Sequence, residues 1–234
     1  MPAGTQVVFN PIAVPSYLWN TYRWAYVEPL AVRFFERQWL VNLILWGNFE
    51  RLRDAAVEAL GKRLDGRNLQ VACVYGDLSN RVRSHLAPAG RLDVIDVLRV
   101  QLENTLRKMP SDPRVGLIQA DSTALDIESG TYDRVLLFFL LHEQPDEVRR
   151  RTLAEAFRVV KPGGKVVILD YHRPKRTHPL YLPMVAILKV FEPFAMDLWR
   201  GELDEWFPRE PQMERISKTT FFGELYQLVI LKRR

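Results

Sequence analysis

From residue 69 onward the chain alternates short apolar runs with longer amphipathic stretches. Residues 69–74, 92–97, 115–119, 132–141 and 166–170 read as strands. The fourth run is nearly all apolar, as a strand buried on both faces must be. Helical patterns over 98–108 and 147–160 lie between them. Strands alternating with helices predict an α/β protein with a doubly wound, mostly parallel sheet. In such a sheet a ligand sits beyond the carboxyl ends of the strands. Ahead of this pattern, residues 16–61 read as helical. There Val32, Phe35, Trp39, Leu43 and Trp46 recur at helical spacing, which predicts one shared helix face, and Gly61 reads as a stop. Behind it, 180–199 is an apolar helical stretch. Residues 216–220 and 226–231 read as two closing strands joined through Phe221-Phe222-Gly223. The chain divides accordingly into an N-terminal helical extension over 1–61 that covers the site and an α/β domain over 62–234. Residues 178–212 form an insertion over the substrate.

Composition narrows the class. With 234 residues, 47% hydrophobic and 26% charged, the chain can bury one sizeable core. Its single cysteine, Cys73, excludes a disulfide framework and any zinc site of several thiolates, and reads as a buried strand residue. A reducing, cytoplasmic setting fits. The first 14 residues carry no secretory pattern. The longest apolar runs, 135–141 and 185–190, fall far short of the ~18 residues of a membrane span, and Lys189 interrupts the second. A net charge of +5 and a pI of about 9.4 suit anionic lipid or nucleic acid. The basic residues are dispersed, however, and no nucleic-acid-binding motif is present, so nucleic acid is not an expected partner.

A parallel sheet finished by two such strands resembles the class I S-adenosylmethionine (SAM) methyltransferase fold, with an antiparallel terminal strand. The alternation alone also admits a dinucleotide-binding fold. Asp96 ends the second strand, roughly 20 residues past the first loop, where a carboxylate can accept both ribose hydroxyls. Its alternative is a helix cap. In Gln119-Ala120-Asp121-Ser122, the resemblance places Asp121 and Ser122 at the adenine, while a plain turn is the alternative. The loop Val71-Ala72-Cys73-Val74-Tyr75-Gly76-Asp77-Leu78-Ser79 departs from the fold's pattern. Cys73 replaces the usual acid, and Tyr75, Asp77 and Ser79 replace three glycines. Tyr75, Gly76 and Asp77 are expected to face the methionine end of the cofactor, unless the loop has lost binding altogether.

Three stretches carry a family resemblance. They are the aromatic front, from Tyr22-Arg23-Trp24-Ala25-Tyr26 through Trp39-Leu40-Val41-Asn42, the altered loop Val74-Tyr75-Gly76-Asp77-Leu78, and the end Thr220-Phe221-Phe222-Gly223-Glu224-Leu225-Tyr226-Gln227. Together they make the chain similar to quinone-biosynthesis methyltransferases and, among these, to the SAM:ubiquinone aminotransferases of rhodoquinone biosynthesis. That resemblance implies replacement of a ubiquinone methoxy group by an amino group, with SAM as amino donor and manganese as cofactor. Asp77, with Tyr75, is then the expected general base or ammonium anchor. His142 and Glu143, at the end of the fourth strand, occupy the place of a metal-binding Glu-His pair in reversed order. Substrate contact or helix capping is the alternative for them. Asp170 and His172 are the next metal candidates, with a plain polar loop as their alternative. A substrate with an isoprenoid tail implies peripheral contact with a membrane, at the bacterial inner membrane or the mitochondrial matrix face. Two other functions stay open. One is methyl transfer to a quinone or phenol, which the altered loop disfavours. The other is a non-catalytic quinone-binding relative, which Asp96 and Asp121 disfavour.

Overall fold

The computed structural model describes residues 4–234, so residues 1–3 of the expected extension lie outside the described residues. Eight strands form one sheet: β1 (Gln6–Val8), β2 (Arg67–Val71), β3 (Arg91–Asp96), β4 (Val115–Gln119), β5 (Tyr132–Phe138), β6 (Val160–Tyr171), β7 (Met213–Phe221) and β8 (Tyr226–Arg233). Their order is β1-β4-β3-β2-β5-β6-β8-β7. The first six pair in parallel, while β8 runs antiparallel to β6 and β7. This is the expected class I methyltransferase-like sheet. Strand order reverses between β2 and β5, which sets the crevice where a ligand belongs.

The helices are α1 (Ser16–Tyr22), α2 (Pro29–Phe35), α3 (Gln38–Ile44), α4 (Phe49–Leu60), α5 (Leu78–Ser84), α6 (Arg99–Lys108), α7 (Asp146–Val159), α8 (Tyr181–Phe191) and α9 (Ala195–Leu198). Strand residues alternate between the two faces, as the pleat requires. Leu136 and Phe138 of β5 pack with Phe49, Leu52 and Ala56 of α4. Val135 and Leu137 pack on the opposite side with Leu153, Ala156 and Phe157 of α7.

The structure corrects several expectations. The strands at the site stop earlier than their apolar runs, because Ala72 and Phe139 take positive φ values of 71° and 48° and turn the chain. β6 starts earlier, at Val160, and absorbs Lys161-Pro162-Gly163-Gly164 through a register shift against β5. β1 was not legible: three residues carry no periodicity, and their pairing with β4 is a long-range event. The expected single helix face over 32–46 does not exist. A π-helical turn at Arg23–Val27 precedes α2, and an extended Arg37 separates α2 from α3. Val32 is consequently buried, whereas Trp39 and Leu43 point to solvent. Gly61 does end α4. Pro193 and its neighbours divide the 180–199 stretch into α8 and α9. No helix among the described residues is long and apolar enough to cross a membrane.

Candidate active site

A cavity of about 380 Å³ opens at the carboxyl ends of β2 to β5. Asp96 lies at its floor. One carboxylate oxygen accepts the Cys73 N–H and the other the Leu98 N–H, each at 2.8 Å. These bonds fix the carboxylate between the loop after β2 and the start of α6, with lone pairs left for two ribose hydroxyls. Burial raises the Asp96 pKa to about 6, against the lowering effect of the two N–H groups. Asp121 and Ser122 also line the cavity. One oxygen of Asp121 accepts the N–H and hydroxyl of Thr123. The Ser122 hydroxyl pairs with Thr152 at 2.9 Å.

The altered loop splits in two. Cys73, Val74 and Tyr75 line the cavity; Gly76 and Asp77 do not. The Tyr75 ring stacks between Tyr26 and Phe35. Its hydroxyl donates to the Ala25 carbonyl at 2.5 Å and accepts from Gln101 at 3.2 Å. Burial pushes its pKa far up, so the phenol stays protonated. Gly76 has φ +82°, and a Cβ there would meet the Phe49 ring at 2.6 Å, which is why this glycine survives in the loop. Its N–H donates to Glu36. Glu36 also accepts from Lys108 at 2.8 and 2.9 Å and from Asn104, while Lys108 donates to the Val74 carbonyl. The loop is thereby tied to α2. Asp77, expected to face the methionine end, does not line the cavity and pairs instead with Arg53. Arg53 of α4 donates to both its oxygens, at 2.8 and 2.9 Å.

Opposite the loop stands a second group of acids. β5 ends in a turn at Leu141–Glu143, and the Asp170 carboxylate accepts the N–H groups of both Leu141 and His142. Asp170 also pairs with His142 Nδ1 at 2.8 Å, which orients the imidazole. Burial alone would lower the His142 pKa, but Asp170, Glu192 and Glu143 raise it to about 9. The pKa values of Glu143 and Glu192 are raised, chiefly by burial. Both carboxylates and His142 line the cavity. His172 lies apart and binds the Glu224 carbonyl. His142 and Glu143, the expected manganese pair, both reach the cavity. Nε2 of His142 stands 3.8 Å from Glu143, and no three His, Cys, Asp or Glu side chains among the described residues converge as metal ligands.

The ubiE/COQ5 methyltransferase family matches residues 38–206, most of the chain. The chain belongs to that family. Demethylmenaquinone methyltransferase of Staphylococcus aureus (strain JH9) is 28% identical over 193 residues, 78% of either chain. Among solved structures, a SAM-dependent methyltransferase from Aquifex aeolicus has a TM-score of 0.56 at 14% identity, over 88% of this chain and 99% of its own. The [4+2]-cyclase SpnF has a TM-score of 0.57 at 15% identity, over 78% and 80%. At such identities the likeness shows the fold alone, and the fold admits more than one reaction.

For a member of the ubiE/COQ5 family, the placing of Asp96, Asp121 and Ser122 at the cavity was legible in sequence, and the rest of its lining only partly. Glu36, Tyr26 and Glu192 gave no local signal, since each acts through a partner far along the chain.

Proposed function

We propose that this family member is a SAM-dependent transferase acting on a quinone, and that it transfers the amine of SAM to a ubiquinone ring in place of methoxy. The observation that carries the reading is the commitment of the loop after β2. Methyl transfer needs the sulfonium methyl aimed at a nucleophile. Amino transfer needs the methionine amine aimed at the ring. Here the Gly76 N–H is taken by Glu36 and the Tyr75 ring fills the loop's place. The methionine end of SAM then looks toward the acids opposite, Glu143 and Glu192.

The chemistry fits those acids. The ammonium of SAM must lose a proton before its nitrogen attacks. An α-ammonium has a pKa of about 7.7–8.0, and a carboxylate raised by burial accepts a proton best near that range. Glu143 suits this role better than Asp77, which Arg53 neutralises. The nitrogen adds to the electrophilic ring carbon bearing methoxy and methanol leaves, so the ring is then joined through that nitrogen to the α-carbon of SAM. Loss of the α-proton, with its electron pair passing into the quinone, gives an imine. Water cleaves its C=N bond to release the aminohydroquinone and the 2-oxo acid of SAM. His142, held as an imidazolium by Asp170, can donate to a quinone oxygen and raise that electrophilicity. Manganese dependence has no ligand set to support it here. The apolar wall of Val41, Ile44 and Leu45 suits an isoprenoid tail, and with it contact with a bilayer.

The test is incubation with ubiquinone and SAM labelled with ¹⁵N in its amine and ¹³C in its methyl. Mass spectrometry of the quinone is expected to show ¹⁵N and no ¹³C. Uptake of ¹³C supports methyl transfer instead, the reading favoured by the S. aureus relative. Uptake of neither supports a quinone-binding protein without turnover.

A further inference from the structure

Helix α8 has no polar face. Met184 and Leu188 point into the core, yet the outward positions include Leu182 and Val190, which are 76% and 71% exposed, and the half-exposed Phe191. Lys189 is its one charge. Beside α8, helices α2 and α3 expose Leu30 (80%) and Leu43 (63%), with Phe34 and Trp39 between them. Two contacts join the regions through the segments flanking α2 and α3. The Trp24 ring meets Phe191 edge-on at 5.8 Å, and Trp46 Nε1 donates to Met184 Sδ at 3.1 Å. Folded monomers seldom leave so many large apolar side chains together in water.

The polar residues on this surface say what covers it. Arg33, Arg37 and Lys189 are exposed and have no carboxylate partner among the described residues. Arg37 lies over the Phe34 ring at 5.3 Å. Four of the six Trp, namely Trp19, Trp24, Trp39 and Trp46, are more than a third exposed, and Trp24, Trp39 and Trp46 lie on or beside this face. Tryptophan beside unpaired cations on an apolar face matches the boundary between acyl chains and anionic headgroups. A second protein chain would need carboxylates placed to meet each cation, whereas an anionic lipid surface presents negatively charged phosphates everywhere. The cavity reaches the same face, since Ile44 both lines it and is 47% exposed.

We propose that the face built from α2, α3 and α8 docks on an anionic lipid bilayer and seats the cavity mouth at the membrane. The surface stands on exposure and charge. The passage of a tail beside Ile44 rests on the quinone reading above.

Vesicle flotation of the whole chain, without quinone, tests it. The chain should float with vesicles of phosphatidylcholine mixed with phosphatidylglycerol, float less with phosphatidylcholine alone, and shift its tryptophan emission to the blue. The pair Leu43→Glu and Val190→Glu, both at exposed positions, should lower the partition coefficient roughly tenfold or more. Arg33→Gln and Arg37→Gln should each cost roughly fivefold on the anionic vesicles and little on the neutral ones. All three variants should turn over a tail-less, water-soluble quinone as the wild type does. The proposal is overturned if the wild type stays behind with both vesicle types, or if the double Glu variant floats unchanged. It is also overturned if size-exclusion shows a dimer that the Glu pair dissolves without vesicle binding, since a second copy then covers the face. Loss of turnover on every quinone with flotation intact would overturn the functional reading and leave the docking surface standing.

Discussion

At the scale of single residues, three carboxylates near one cavity have different fates because they face different neighbours. Asp96 is buried and receives two N–H groups, which hold it at the cavity where the sequence predicts a ribose ligand. Asp96→Ala should weaken SAM binding tenfold or more, since charge-assisted hydrogen bonds contribute about 1.5–3 kcal/mol. Calorimetric titration measures this. With its pKa at about 6, only about a tenth of Asp96 is ionised at pH 5, so SAM affinity should fall about tenfold from pH 7 to pH 5. Stability runs the other way. The folded pKa lies above the unfolded value of about 3.9, so the folded state holds the extra proton between about pH 4 and 6. This group's contribution is greatest below that window and is lost as pH rises through it. Denaturant unfolding of Asp96→Asn against wild type isolates the effect. Glu143 and Asp77 form a second contrast. Glu143→Gln should cost roughly 10²–10⁴-fold in turnover with SAM affinity nearly unchanged. Asp77→Asn should keep turnover and lose about 1 kcal/mol of stability, because the partner of Arg53 is itself 41% exposed. A dead but stable Asp77→Asn enzyme would return the base to the loop.

At the scale of elements, Glu36 is the joint between α2, α6 and the loop after β2. Its carboxylate meets Lys108, Asn104 and the Gly76 N–H. Glu36→Ala leaves the part-buried Lys108 ammonium with the Val74 carbonyl alone. A loss of roughly 2–3 kcal/mol is expected, as a buried partner is left unpaired. Protease should then cut within residues 23–47 faster, because the aromatic front is released from the α/β body. A stability loss with unchanged cleavage would mean that aromatic stacking on Tyr75, not Glu36, holds the front down. The family match begins at residue 38, so Glu36 lies just ahead of the matched residues while its partners Gly76, Asn104 and Lys108 lie within them.

At the scale of the molecule, the sheet ends in two unlike edges. β7 closes one with nine residues that are mostly exposed. At the other, β1 covers β4 with three residues, pinned by Thr5, whose hydroxyl donates to the Asp112 carbonyl and accepts the Asp112 N–H. Removing residues 4–9 should bare the β4 edge, lower the midpoint of thermal unfolding by a few degrees, and give larger species in size-exclusion chromatography, as open strand edges invite pairing. A truncated chain that remains monomeric would show that α6 and its flanks already shield β4.

The alternation of strands and helices, the parallel sheet and a carboxylate at the end of β3 beside the cavity were all legible in the sequence. Each depends on local order: burial on both faces makes a strand apolar, and a ligand-facing acid must follow directly at its end. Asp96 met both conditions. What faces what was decided only by tertiary structure. Asp77 and Arg53 are 24 residues apart, Gly76 and Glu36 are 40 apart, and Asp170 meets His142 across 28. No periodicity encodes such pairings, and a carboxylate becomes an ion-pair partner, a ribose ligand or a proton acceptor according to its burial and its neighbours. The apolar spacing over 32–46 failed for a related reason. Hydrophobic period records which side chains avoid water, and Val32 does so in the core, while Trp39 and Leu43 are left on the surface for something outside the chain to cover.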